Sequence, residues 1–110
     1  MLCYHPGSDV LERAEAVRIS EIIWLDEIVE KLRRRHGVEP EEVEGALASR
    51  PYFFFVEKGH RKGENVYGAF GRSDAGRYIV AYFVYKQDKS ALIVSARDMA
   101  PRDRRRYERR

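Results

Sequence analysis

The spacing of hydrophobic positions predicts a helix in the first third of the chain. Four apolar residues recur at i, i+3, i+4 and i+7 and therefore share one stripe of a helix; they are Leu25, Ile28, Val29 and Leu32. Gly37 stands where a glycine in the left-handed conformation commonly ends a helix. We therefore expect a helix over 25–36.

A second helix is predicted over 38–49, in the segment VEPEEVEGALAS. Pro40 suits the first helical position, because the missing N–H would have no partner there. Glu41 and Glu42 fall in the first turn, where negative charge interacts favourably with the helix dipole.

The pattern changes from helical spacing to alternation after residue 51. Four segments have the β-branched and aromatic residues of strands; they are YFFFVEK (52–58), ENVYGAFGR (64–72), GRYIVAYFVYK (76–86) and SALIVSAR (90–97). Their short, turn-rich connectors predict consecutive antiparallel pairing. In the first of them, Phe53 and Phe55 share one face and Tyr52 and Phe54 the other, so at least one pair should lie in the core.

Two further elements complete the predicted fold. VRISEIIW (17–24) is another strand candidate, and PRDRRRYERR closes the chain as a helix with Pro101 near its start and Asp98 as a candidate cap. The resulting class is α+β. We expect an antiparallel sheet of four to five strands, with two N-terminal helices and a C-terminal helix packed against one side.

Composition and length favour one ordinary globular domain over 17–110, and we expect a flexible extension over 1–16 before it. The chain has 110 residues and 44% hydrophobic residues, which suffices for a single core. Cys3 is the only cysteine, so neither an intrachain disulfide nor a cysteine-based zinc site can form. No apolar run has the length of a membrane span and no secretory signal is recognisable. We therefore expect a cytoplasmic protein without a membrane partner.

Positive charge is concentrated at the end of the chain. The net charge is +3, but residues 95–110 alone contain seven arginines against three acidic residues. Four arginines fall at i, i+3, i+4 and i+7 of the closing helix and form one basic face; they are Arg102, Arg105, Arg106 and Arg109. This face suits RNA phosphates. An acidic segment of a protein partner and a merely solvated face are the alternatives.

Three segments of the chain have recognisable motifs. They are KLRRRHGVEPEEVEGAL, which Trp24 and Asp26 precede, FGRSDAGRYIVAYFVY and IVSARDMAPRDRRRYER. Each is similar to a motif of one family, so the chain resembles the BrnT family of toxins. The likeness covers roughly residues 19–109 in order. It implies a compact RelE-like α+β fold and a metal-independent ribonuclease of a type II toxin–antitoxin pair. It also implies a cognate DNA-binding antitoxin as partner, and RNA as substrate.

The chain departs from the family pattern at one place that bears on activity. The family often has an acidic–basic pair on the strand before a glycine, where this chain has Asn65 and Val66, with Glu64 adjacent. This difference supports an alternative, a catalytically silent RNA- or protein-binding module with the same fold. A third possibility is an interaction protein whose basic helix serves only a protein partner.

Metal-free RNA cleavage needs a base for the 2′-OH proton, a cation for the phosphate and an acid for the leaving oxygen. His36 is the titratable candidate near neutral pH, although a histidine at a helix C-terminus also interacts with the dipole. Arg97 can grip a phosphate with its planar guanidinium, or form an ion pair with Asp98 or with a helix carboxylate. Tyr107 can donate a proton or stack on a base, or pack the last helix onto the sheet.

Other residues are expected to contribute charge rather than chemistry. Arg35 keeps the positive charge that the family has before its histidine, and Arg72 and Arg77 flank the SDAG turn as lower-ranked RNA contacts. Glu57 and Glu64 are possible bases but more readily surface charges, and His60 lies in a basic turn. We expect no cofactor and no metal, and we expect His36 and Arg97 to converge on a single cradle for RNA.

Overall fold

The computed structural model describes residues 17–59 and 63–109, which contain five strands and three helices. The two N-terminal helices are α1 (Asp26–His36) and α2 (Pro40–Ala48), and the last is α3 (Pro101–Glu108). The strands are β1 (Glu21–Ile23), β2 (Tyr52–Lys58), β3 (Asn65–Arg72), β4 (Tyr78–Tyr85) and β5 (Ser90–Asp98). The α+β class is thereby confirmed. The predicted extension at 1–16 and the His60 turn lie outside the described residues.

The five strands form one mixed sheet in the order β1-β5-β4-β3-β2. The predicted meander is confirmed, because β2 to β5 pair consecutively and antiparallel. The expectation of a wholly antiparallel sheet is wrong at its edge, where β1 pairs parallel with β5. The strand expected over 17–24 is only three residues long, since β1 has just Ser90, Ala91 and Leu92 as partners.

The helices lie on both faces of the sheet, which corrects the expectation that they share one side. The helix-pair face packs against α1 and α2 in a core that includes Leu32, Val43 and Phe83. The opposite face, here called the α3 face, packs against Tyr107 of α3 in a smaller core with Phe70 and Val80. Phe53 and Phe55 pack on the first core and Tyr52 and Phe54 on the second. The predicted division of these four rings between the two faces is confirmed.

A bulge in β5 decides which residues at the end of this strand face α3. Tyr82 and Phe83 are neighbours on β4, but their partners on β5 are Ser95 and Ile93. Val94 is therefore the extra residue. Because one inserted residue reverses the alternation of all that follow, Ser95 and Arg97 face α3 while Ala96 stays in the main core.

Local hydrogen bonds account for the helix ends. Gly37 ends α1 in the left-handed region at φ 61°, and Val38 N–H donates to the Leu32 carbonyl across the end, which is a common helix ending. At the start of α2, the Glu42 carboxylate accepts from Glu39 N–H at 3.0 Å. Asp98 does not cap α3. Ala100 occupies the cap position, and Asp103 accepts its N–H at 3.2 Å.

None of the helices in 17–59 and 63–109 has the length and apolar character that crossing a bilayer requires.

Candidate functional site

The structure places His36 and Arg97 on opposite faces of the sheet, so the expected single cradle is not formed. His36 is the last residue of α1, and its carbonyl oxygen accepts from Arg77 Nη2 at 3.0 Å on the helix-pair side. Arg97 points to the α3 face, because its cross-strand partner is Val80. The β5 bulge at Val94 causes this separation, since an unbroken alternation would put Arg97 with Ile93 on the helix-pair face.

Arg97 lies between the sheet and the start of α3, where three groups hold its side chain. Its Nη2 lies 3.4 Å from the hydroxyl of Tyr82, and its Nη1 donates to the Asp98 carbonyl at 3.0 Å. A carboxylate oxygen of Asp103 lies 3.5 Å from the same Nη1. The Arg97 side chain remains 39% exposed. A cation, a phenol and a carboxylate are thus gathered at one partly open position.

Further arginines lie over aromatic rings on the same face. The guanidinium carbon of Arg106 is 5.5 Å from the ring centre of Tyr52, 5.3 Å from that of Phe54 and 5.7 Å from that of Phe70. Such distances fit cation–π attraction. These contacts leave cations at the surface with aromatic carbon beneath them.

Two further arginines lie over the ring of Tyr78. The guanidinium carbons of Arg72 and Arg104 lie 4.7 Å and 3.9 Å from its ring centre. The basic–aromatic patch is defined here as the residues of the α3 face that combine these two side-chain types. They are Arg72, Arg97, Arg104, Arg106, Tyr52, Phe54, Tyr78 and Tyr82.

Tyr107 packs α3 onto the sheet. It is 7% exposed, and its ring meets that of Tyr78 edge to face with 6.0 Å between centres. This burial is the packing role foreseen for Tyr107. Its role in proton transfer or stacking stays a prediction.

Arg77, a lower-ranked RNA contact by sequence, is a structural junction in the fold, and its contact with RNA stays a prediction. Its guanidinium binds the Asp98 carboxylate, the Glu42 carboxylate at 3.1 Å and the Gly37 carbonyl at 2.8 Å, besides the carbonyl of His36. It therefore joins the end of α1, the start of α2 and the end of β5. The hydrogen bond between Arg77 and Asp98 lowers the pKa of the Asp98 carboxyl and raises the pKa of Arg77.

The remaining predicted RNA contacts are exposed on two helices. Arg102, Arg105 and Arg109 are exposed on α3 or at its end, and Arg35 is exposed on α1. Arg35 lies on the helix that packs against the other face of the sheet, apart from the basic–aromatic patch. Of the candidate bases, Glu64 pairs with Lys86 at 3.3 Å and Glu57 is exposed.

Sequence reasoning missed Tyr82 and Arg104. Tyr82 has a recognisable signal, because residues 78, 80 and 82 alternate onto one face of β4. The contact of Arg104 with Tyr78 depends on the face to which α3 returns. The spacing within α3 does not contain that information.

No protein-family model matches the chain, and no curated protein matches it.

Proposed function

We propose that this protein is a metal-independent endoribonuclease of the BrnT toxin kind and that RNA binds on its α3 face. One observation carries the proposal: Arg97 holds a partly exposed guanidinium beside the Tyr82 hydroxyl, on the face where Arg72, Arg104 and Arg106 also gather. Arginines attract RNA phosphates irrespective of sequence, and aromatic side chains stack on unpaired bases.

The chemistry follows from the groups around Arg97. Asp103 accepts the proton of a ribose 2′-OH while the oxygen attacks the adjacent phosphorus, and the bond to the 5′-oxygen breaks as the new bond forms. Arg97 stabilises the negative charge that builds on the phosphate oxygens. Tyr82 donates a proton to the departing 5′-oxygen. The products are a 2′,3′-cyclic phosphate and a 5′-hydroxyl. His36 has no part in this scheme, because it lies on the opposite face.

If the protein is a toxin of this kind, it also has a protein partner and a cellular location. A cognate DNA-binding antitoxin would neutralise the protein, and an acidic segment of it would complement the arginines of α3 and β5. RNA cleavage of this kind inhibits translation, so the protein would act in the cytoplasm.

The decisive experiment incubates the purified chain with RNA in the presence of a chelator. We expect cleavage products with 5′-hydroxyl ends, and we expect Arg97→Ala to lower the rate by roughly 100-fold or more, because removing one donor to a developing charge has that effect. The matched control is Arg34→Ala, since Arg34 is exposed on α1 and 3.6 Å from Glu30 of the same helix. This variant should cleave like the parent.

A catalytically silent RNA-binding module is the second candidate, and the separation of His36 from Arg97 favours it. It predicts RNA binding that weakens with salt but intact RNA. Intact RNA after incubation with the parent protein would reject the nuclease. Equal rates for Arg97→Ala and the parent would reject Arg97 as the centre of the reaction.

A further inference from the structure

We propose that Arg106 and the rings beneath it form a nucleobase-stacking platform that makes the α3 face select unpaired RNA over duplex RNA. This inference rests on the proposed binding of RNA to that face and adds its substrate class. The platform consists of Arg106 with Tyr52, Phe54 and Phe70.

The rings of the platform form one connected layer. Phe54 and Phe70 have ring centres 4.7 Å apart at an angle of 36°, and Tyr52 and Phe70 have centres 6.0 Å apart at 30°. Neither pair meets edge to face, so Phe70 presents a tilted face to each of its two neighbours. Tyr82 closes the layer edge-on, with its ring centre 6.3 Å from that of Phe54.

Gly68 lets the Phe54 ring lie down on the sheet. It is the cross-strand neighbour of Phe54 on β3, and a Cβ at Gly68 would overlap the outer carbons of that ring. Only a residue without a side chain leaves this space. The ring therefore lies over the β3 backbone instead of standing away from it.

Arg106 lies on this layer with one side towards solvent. Its guanidinium carbon is within 6 Å of all three ring centres, yet the residue as a whole is exposed. A guanidinium is planar and stacks on rings and on unpaired nucleobases. A base that stacks on the outer side of Arg106 would extend the layer of rings by two more planes.

The platform and Arg97 belong to the same row of the sheet. Tyr52, Phe70, Val80 and Arg97 are successive cross-strand partners from β2 to β5. Three strand spacings separate the ends of the row, roughly 14 Å. A base on the platform and a phosphate at Arg97 would therefore come from one short stretch of RNA. In a duplex the bases are paired and stacked inside, so they cannot reach the platform.

The test measures binding to RNA that cannot be cleaved. A 2′-O-methylated strand lacks the attacking hydroxyl, and it is compared as a single strand and as a duplex with its complement by fluorescence anisotropy. We expect the parent to prefer the single strand. Arg106→Lys keeps the charge but not the planar group, so it should weaken single-strand binding about fivefold or more and leave duplex binding unchanged.

Arg105→Ala and Arg106→Ala form the matched pair. Each removes one positive charge from an exposed position on α3. Arg105→Ala should weaken single-strand and duplex binding by the same factor, because it removes only phosphate attraction. Arg106→Ala should weaken single-strand binding by the larger factor. Circular dichroism of each variant confirms that the fold is retained.

The platform is rejected if Arg106→Lys binds both forms as the parent does, or weakens both equally. Its failure is distinct from that of the proposed nuclease. If the parent cleaves RNA and Arg106→Lys binds both forms as the parent does, only the platform is overturned. If Arg106→Lys abolishes the preference for single strands but the parent cleaves no RNA, only the nuclease is overturned. Absence of binding to either form would overturn both.

Discussion

Arg77 holds the carboxylate of Asp98 with two hydrogen bonds, Nε to Oδ1 at 2.6 Å and Nη2 to Oδ2 at 3.1 Å. This two-pronged geometry is the strong form of an arginine–carboxylate pair. Because Arg97 Nη1 donates to the main-chain carbonyl of the same Asp98, the junction on the helix-pair side also fixes the strand end from which Arg97 extends.

We expect Arg77→Ala to lower the free energy of unfolding by roughly 1–3 kcal/mol, because the partly buried Glu42 carboxylate and the carbonyls at the end of α1 lose a charged donor. Urea denaturation measures the change. Arg34→Ala serves as the control and should stay within about 0.5 kcal/mol of the parent. A loss from Arg77→Ala no larger than that of the control would show that the junction contributes nothing to stability.

The Asp98 carboxylate should make the fold sensitive to acid. Its pKa is lowered in the folded protein, first by the hydrogen bond from Arg77, whereas an unfolded aspartate titrates near about 3.9. The stabilisation is therefore complete above that value and is lost as pH falls through the lower folded pKa. Asp98→Asn should be less stable than the parent at pH 7, and the difference should shrink under acid conditions.

Unfolding curves at several pH values measure this effect. Glu57→Gln is a suitable control because Glu57 is exposed on β2, and it should follow the parent at every pH. If the difference in the free energy of unfolding between Asp98→Asn and the parent stayed constant down to the lowest pH, the acid sensitivity would not come from the Asp98 carboxylate.

Gly68→Ala should destabilise the protein by about 1–3 kcal/mol, because the added methyl group displaces the Phe54 ring. In combination with Phe54→Ala the added methyl group has space, so the two changes should be less than additive. A double-mutant cycle by urea denaturation measures the coupling. Strict additivity would mean that the position of the Phe54 ring does not depend on the absence of a side chain at Gly68.

Lys89→Gly should stabilise the protein by roughly 0.5–1 kcal/mol. Lys89 has φ 71° in the β4–β5 connection, and its N–H donates to the Lys86 carbonyl at 2.8 Å. A residue in the left-handed region is usual at this place in a three-residue hairpin loop, and glycine adopts it without strain. The thermal midpoint should rise, and an unchanged or lowered midpoint would contradict the prediction. Gln87→Gly, at an exposed position in the same loop, is the comparison and should not stabilise.

The elements themselves were predictable because each is encoded by local spacing. The stripe on α1 predicted that Leu32 would be buried, and it is 1% exposed, but Leu25 of the same stripe precedes the helix and is 41% exposed. The alternating pattern over 52–58 predicted β2, and the strand begins and ends at the predicted residues. The connectors are too short for anything other than antiparallel neighbours among the last four strands, so the meander was predictable as well.

The candidate site was predictable only in part. The sequence indicated an arginine at the end of β5 and a basic last helix, and both lie on the α3 face. It did not indicate that Arg77 would join three elements, because its partners Glu42 and His36 are 35 and 41 positions away. A turn arginine has no local signal of such contacts.

The sequence by itself determined the class of the fold and the order of its elements. Only the tertiary structure decided which face each functional side chain meets. A single extra residue at Val94 reverses the alternation of β5, and the return of α3 across the opposite face depends on packing between Tyr107 and Phe70. Both depend on contacts between residues distant in the chain, and local periodicity carries no information about those.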